Sequence, residues 1–215
     1  PQASIIDVTP LSLGIETVGD IFSIIIPKNT SLPTEKKSIY TTIEDNQPYV
    51  NFRVFQGERK VASANTELGN FLLEDIEEGE AGEPQLETTF RIDLDGILTV
   101  SAKDLATNSY KEIKIKNSLV MKKSEIKRLQ KEASKNKQKD LEKVEESNNF
   151  NILRNEFKEF NECIKEKNIH IEKKFSRDEL KTFNKAKECL ESGSNPNSDS
   201  YALVSNIRKI IKKYC

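Results

Sequence analysis

Seven of the eight glycines and six of the seven prolines lie before residue 97, and the rest of the chain holds only Gly193 and Pro196. Glycine and proline punctuate turns, and neither is comfortable in the middle of a long helix. The first half of this chain must therefore be many short extended segments, and the second half is free to run as long helices. The grammar changes near residue 120.

In the first half, β-branched and aromatic runs recur between turn signals at 8–16, 21–26, 36–43, 50–56, 68–73, 86–93, 97–103 and 110–116. About eight antiparallel strands of this length imply a β-sandwich. Leu94-Asp95-Gly96 fits a tight hairpin between two of them, because Asp-Gly tolerates positive φ. Pro10 cannot donate to a ladder, which predicts a bulge or an edge strand there.

Beyond Met121 the apolar spacing becomes helical, at Ile126, Leu129 and Ala133, then Phe150, Leu153, Phe157, Phe160 and Ile164. Ser176 and Glu179 form a capping box that should open a helix carrying Leu180, Phe183 and Leu190. The stretch 193–198 breaks the chain, and Asp199 or Ser200 is placed to cap a last helix through Leu203, Ile207, Ile210 and Ile211. Three or four helices are expected after the sandwich.

Charge narrows the partners. Thirty-four Lys and Arg against 35 Asp and Glu leave a formal net charge of −1, so no bulk attraction to nucleic acid or membrane is expected. No run of about 18 apolar residues is present to span a bilayer. Cys163, Cys189 and Cys215 are far apart, odd in number and without CxxC spacing, which predicts reduced thiols, no metal site and a reducing compartment. His170 stands alone among Lys and Glu, with no nucleophile beside it, so no catalytic set is expected.

The segment from Asp7 to Thr17, with Asp7-Val8-Thr9-Pro10-Leu11-Ser12-Leu13-Gly14-Ile15-Glu16, resembles the first-strand signature of the seventy-kilodalton heat-shock chaperone family. Pro27-Lys28-Asn29-Thr30, Asp45-Asn46-Gln47, Gln56-Gly57-Glu58-Arg59, Leu68-Gly69-Asn70-Phe71 and Asp95-Gly96-Ile97-Leu98 follow in that family's order. The resemblance covers nearly all of residues 5–118, while the rest is similar only in its helical layout. It implies an interdomain linker remnant at 1–6, a peptide-binding β-sandwich at 7–118 and an α-helical lid at 119–215. The family's nucleotide-binding domain, with its ATP and magnesium, would precede residue 1. This chain is then not itself an enzyme, and a J-domain co-chaperone and a nucleotide exchange factor are expected partners of the whole protein.

By the same resemblance, the substrate is an extended hydrophobic segment of an unfolded or nascent polypeptide. Ile15, Tyr40, Val50 and Phe52 would form the central pocket, with Leu13 beneath it. Val18 and Ile43 would arch over the peptide, and Thr17, Thr41, Gln47 and Tyr49 would bond to it. Burying one Leu-sized side chain contributes about 1.5 to 3 kcal/mol, so with backbone bonds an affinity of about micromolar order is expected. Many relatives latch lid to sandwich with a charged pair. Here the arginine position is Ala81 and the acidic one falls near Ile152, which predicts a looser lid and faster peptide exchange.

Gly19-Asp20-Ile21-Phe22, Phe55-Gln56-Gly57-Glu58-Arg59 and Ala81-Gly82-Glu83-Pro84 resemble the family's fungal ribosome-associated branch. In that branch basic lid residues touch the ribosome, and the matching positions are Lys173, Lys174, Arg177, Arg208, Lys209 and Lys213. Such contact would act through phosphate charge without base readout. A cytoplasmic chaperone results, ribosome-associated or general. A general cytosolic or organellar chaperone without ribosome tethering, or a structural adaptor reusing the sandwich, are the alternatives.

Overall fold

The computed structural model describes residues 8–116, 118–192 and 200–215. The expected linker at 1–6 and the break with its Asp199 cap lie outside the described residues. The chain divides into two compact units, residues 1–140 and 141–215. The change from strand to helix comes earlier, between residues 115 and 123.

In the first unit, β1 (Leu13–Thr17), β2 (Ile21–Ile26), β4 (Tyr49–Gln56) and β5 (Thr66–Glu74) make one antiparallel sheet in the order β2-β1-β4-β5. The other sheet runs β3-β6-β7-β8, from β3 (Thr34–Tyr40), β6 (Leu86–Ile92), β7 (Leu98–Asp104) and β8 (Tyr110–Ile115). Alternation decides the burial. In β7, Leu98, Val100 and Ala102 are buried while the residues between them are half-buried. With Leu13, Ile15, Phe52, Val54, Phe71 and Phe90 they form one core shared by both sheets. The β-sandwich expected from the turn signals is the fold observed.

Two expected strands begin or end elsewhere. Residues 8–12 are no strand: Thr9 N donates to Thr30 O at 2.9 Å and Asn29 N to Thr9 O at 2.8 Å, so this backbone pairs with the loop after β2. Pro10 therefore precedes the sheet, and β1, which follows, is a central strand with no bulge made by proline. The register between β1 and β2 shifts between Leu13 and Gly14, whose partners are Ile26 and Ile24, so the extra residue is Ile25 of β2. A Cβ on Gly14 would stand 1.9 Å from Ser23 O, so only glycine permits that approach. The third strand stops at Tyr40, and Thr41 to Ile43 belong to the following loop.

The hairpin at 94–96 forms as expected. Gly96 has φ of 73°, and Asp93 Oδ1 accepts from Asp95 N at 3.0 Å and Ile97 N at 2.9 Å.

The helices are α1 (Lys123–Glu166), α2 (Ile171–Lys174), α3 (Arg177–Ser192) and α4 (Ser200–Tyr214). The capping box is present: Ser176 N donates to Glu179 Oε2 at 2.8 Å, and Glu179 N to Ser176 Oγ at 3.3 Å. The second unit has its own core of Leu153, Phe157, Phe160, Phe175, Phe183 and Ile207, with the Phe157 and Phe183 rings stacked 4.9 Å apart. The expectation of reduced thiols is overturned, because Cys163 and Cys215 form a disulfide with Cα atoms 6.2 Å apart. An odd count leaves one thiol over, Cys189, but does not forbid a pair that helix packing brings together across 52 residues.

Candidate functional site

Strand period places Leu13, Ile15 and Thr17 on one face of β1, and Val50, Phe52 and Val54 on one face of β4. Because β1 pairs with β4 in register, with Ile15 opposite Val54, the two rows share a floor. Leu13, Ile15 and Phe52 are buried in the sandwich core, and Val50 and Tyr40 are half-buried and packed against it. Phe52 stacks on Phe71 of β5 at 5.3 Å. Tyr40 comes from the other sheet, and its hydroxyl shares a 2.9 Å hydrogen bond with Ser23 Oγ of β2. The five residues expected to line a pocket thus all belong to, or pack against, the one sandwich core.

The remaining candidates surround it differently. Ile43 and Tyr49 are exposed at 45% and 54%, large apolar surfaces left in water beside the cluster. Val18 is half-buried in the β1–β2 turn, where Gly19 and Asp20 take positive φ of 85° and 61°. Thr41 is exposed, and Thr17 Oγ1 donates to Ile21 O at 3.3 Å across the same hairpin.

Gln47 spends its side chain within its own loop. Its Oε1 accepts from Ile43 N at 3.0 Å and Glu44 N at 3.3 Å, and its Nε2 donates to Tyr49 O at 2.9 Å. The neighbouring loop is tied on by Ala81 N donating to Asp45 Oδ1 at 2.9 Å, Asn46 N to Gly79 O at 2.8 Å and Gly82 N to Thr42 O at 3.1 Å. Ala81 thus contributes its backbone amide to a brace between two loops, while Ile43 is held by the Gln47 side chain.

A charged pair that the sequence reading did not anticipate joins α1 to the sandwich within the first unit. Arg59 Nε donates to Asp140 Oδ2 and Nη2 to Oδ1, both at 2.7 Å, Lys60 N adds a 3.1 Å bond to Oδ2, and Glu132 lies 3.6 Å from Arg59. Asp140 is 1% exposed. Its hydrogen bonds, with its charge and that of Glu132, outweigh burial and raise the Arg59 guanidinium above its ordinary value. The pair is bidentate, the strong geometry for a carboxylate. The loop that presents Arg59 is shaped by Asn65, which accepts from Arg59 N at 2.9 Å and donates to Arg59 O and Val61 O at 2.9 and 3.1 Å. A Cβ on Gly57 would lie 2.0 Å from Asn65 Oδ1, so the brace requires glycine there. The signal was present in the sequence: Asp140 falls on the helical stripe of Ile126, Leu129 and Ala133, a carboxylate where an apolar residue is expected.

The basic residues of the helical unit are partly spoken for. Arg208 pairs with Glu156, and Lys213 donates to Glu179 Oε1 at 2.7 Å. The Lys213 bond comes first, and those from Ser176 and Tyr214 follow, in holding the Glu179 carboxyl down to about 2. Lys173, Lys174, Arg177 and Lys209 are exposed. Among the described residues no group of three or more His, Cys, Asp and Glu is arranged to hold a metal ion, and no helix is long and apolar enough to cross a membrane. Two open cavities of about 650 and 530 Å³ lie by the Asp93–Asp95 hairpin and between Ile24, Lys60 and Ala133, and neither involves the candidate cluster.

Residues 2–214 match the family model described as Hsp70 protein. The chain is 38% identical over 206 residues, 96% of its length, to a protein of Ureaplasma urealyticum named chaperone protein DnaK, and covers 33% of it. It is 49% identical over 142 residues, 66% of its length, to the protein of that name from Mycoplasmopsis agalactiae, covering 24% of it. The match to the Mycoplasmopsis pulmonis protein is 48% over 141 residues. The chain spans between a quarter and a third of the length of these curated relatives. All three are bacterial and lend no support to the fungal branch, whose resemblance rested on three short motifs.

Proposed function

The chain belongs to the Hsp70 family, and from that membership we propose that it is the substrate-binding part of an Hsp70 chaperone, holding extended apolar segments of unfolded or nascent polypeptides. One observation carries the reading: Val50 and Tyr40 are half-buried and packed against the core that holds Ile15 and Phe52, while Ile43 and Tyr49 are left exposed. A soluble domain that leaves such residues next to an apolar floor gains by covering them with an apolar side chain. An extended peptide also needs partners for its own N–H and C=O groups, which loop and strand-edge backbone supplies without reading sequence.

In this reading the chain binds and does not catalyse. ATP and magnesium act in the nucleotide-binding domain of the whole protein, which works in the cytoplasm with a J-domain co-chaperone and an exchange factor. Peptide release answers to that domain. Ribosome tethering is the finer reading, and two of its six basic residues already have intramolecular carboxylate partners.

The test is a fluorescence anisotropy titration with a labelled leucine-rich peptide. Wild type is expected to bind with a Kd of about 1 μM. Val50→Phe should fill the space over Phe52 and weaken binding by about tenfold or more, with an unchanged melting temperature. Equal affinity of the two proteins would refute the assignment of the cluster.

A further inference from the structure

The disulfide between Cys163 and Cys215 is the feature of the helical unit that peptide binding does not use. Cys163 lies near the end of α1 and Cys215 directly after α4. Cys215 is exposed and Cys163 half-buried, so a small thiol reaches the bond from the Cys215 side. Lys167 Nζ donates to Cys215 O at 2.8 Å and so holds an ammonium beside that residue. Exposed disulfides are the exchangeable ones, whereas buried ones resist reduction.

The link also closes a long loop around noncovalent contacts. Tyr214 stacks on Phe175 at 4.7 Å, and its hydroxyl donates to Lys174 O at 2.9 Å. Lys213 holds Glu179. These contacts tie the end of α4 to α2 and the start of α3, and Lys167, directly after α1, ties Cys215 to the end of α1, so the reduced thiols stay close enough to rejoin.

We propose that Cys163 and Cys215 form a reversible thiol–disulfide exchange site for a low-molecular-weight thiol of the glutathione class, and that its redox state sets the stability of the helical unit. In reduction, a small thiolate attacks the Cys215 sulfur, forms a mixed disulfide with it and expels Cys163 as thiolate. A second small thiolate attacks the sulfur of the first, releases Cys215 as thiolate and leaves as the small disulfide. Two electrons pass from the two small thiols to the protein, and oxidation runs the same steps backwards with the small disulfide as oxidant. The proposal stands apart from the peptide-binding reading.

The experiment uses the full 215-residue chain, as wild type and as Cys189→Ser, each with and without Cys163→Ser. Samples are equilibrated in mixtures of reduced and oxidised glutathione, quenched with acid, alkylated, and read by intact mass and peptide mapping. The Cys163–Cys215 link should rise and fall with the ratio of oxidised glutathione to the square of the reduced form. Closing a loop with a sequence separation of 52 residues changes the folding equilibrium by about a thousandfold. Melting of the helices, followed by circular dichroism, should therefore fall by about 10 °C or more on reduction. The chains carrying Cys163→Ser should match the reduced protein and ignore the glutathione ratio. Absence of the link at every ratio, persistence of the link in excess reduced glutathione, or equal melting of the two redox forms would each overturn the proposal. Peptide mapping of the wild type keeps the answer available if Cys189→Ser folds poorly.

Discussion

Arg59 holds Asp140 through two hydrogen bonds of 2.7 Å across 81 residues, fixing the first part of α1 to the loop that follows β4. With Asp140 1% exposed, removing either charge leaves the other desolvated without its bidentate partner.

Asp140→Ala should lower the stability of the first unit by about 3 to 5 kcal/mol, because it leaves the guanidinium half-desolvated with only Glu132 near it. Arg59→Ala should cost a similar amount, and the double variant less than their sum. Urea unfolding of the four proteins measures the coupling. Amide exchange over residues 123–140 should quicken in both single variants.

Gly14→Ala should be among the most damaging small substitutions in the sandwich. The added Cβ meets Ser23 O at 1.9 Å, and Ser23 is backbone-bound in β2, so the strand pair has to separate. A loss of about 3 kcal/mol or more is expected in urea unfolding, against well under 1 kcal/mol for Gly82→Asn, where no atom lies within 4 Å of the added Cβ and Asn tolerates positive φ.

Gln47→Ala should free Ile43 and Tyr49 from their shared brace. In the proposed peptide-binding role, release of a labelled peptide should quicken several-fold while overall melting moves little, since the loop is exposed. Gln47→Glu keeps the acceptor for Ile43 N but loses the donor to Tyr49 O, and should fall between the two. Stopped-flow dissociation ranks them; equal rates for all three would remove Gln47 as a positioning residue.

The helical unit should lose stability in acid through Glu179. Its carboxyl is held down to about 2, well below its ordinary value, chiefly by Lys213 and then by Ser176. A depressed folded pKa gives stability that is present above the unfolded value and is lost as pH falls through the folded one, here from about pH 5 down to 2. Glu179→Gln should melt a few degrees lower at pH 7 and converge with wild type near pH 2. Parallel melting curves at all pH values would show that the carboxylate contributes nothing.

The sandwich was readable because glycine, proline and β-branched runs act locally, and seven of the eight expected strands overlap observed ones within a few residues. The first failed in part because β-branched Thr9 and apolar Leu11 are buried like strand residues, yet the Thr9 backbone pairs with Asn29 and Thr30 and not with a sheet. Thr41 to Ile43 also read as strand, but in the structure Thr42 O accepts from Gly82 N and Ile43 N donates to Gln47, so they belong to a loop. For the candidate site, Leu13, Ile15, Val50 and Phe52 were implied by the family resemblance, and their alternation along β1 and β4 puts each pair on one face of its strand. Whether an amide or a lysine is spent inside the protein cannot be read from residue type: Gln47 and Lys213 look free in the sequence and are bonded in the structure. The Cys163–Cys215 pair and the Arg59–Asp140 pair depend on packing between distant elements, where local pattern carries little information.

Asn65 gives the loop from Gly57 to Val61 its form with three hydrogen bonds from one side chain, all made inside the loop. Arg59 therefore waits in place before the carboxylate of α1 arrives. Attachment of the helix becomes a single rigid encounter with no search by the loop, so its rate should track the diffusion of the helix alone, and loosening Asn65 should slow capture before it weakens the grip.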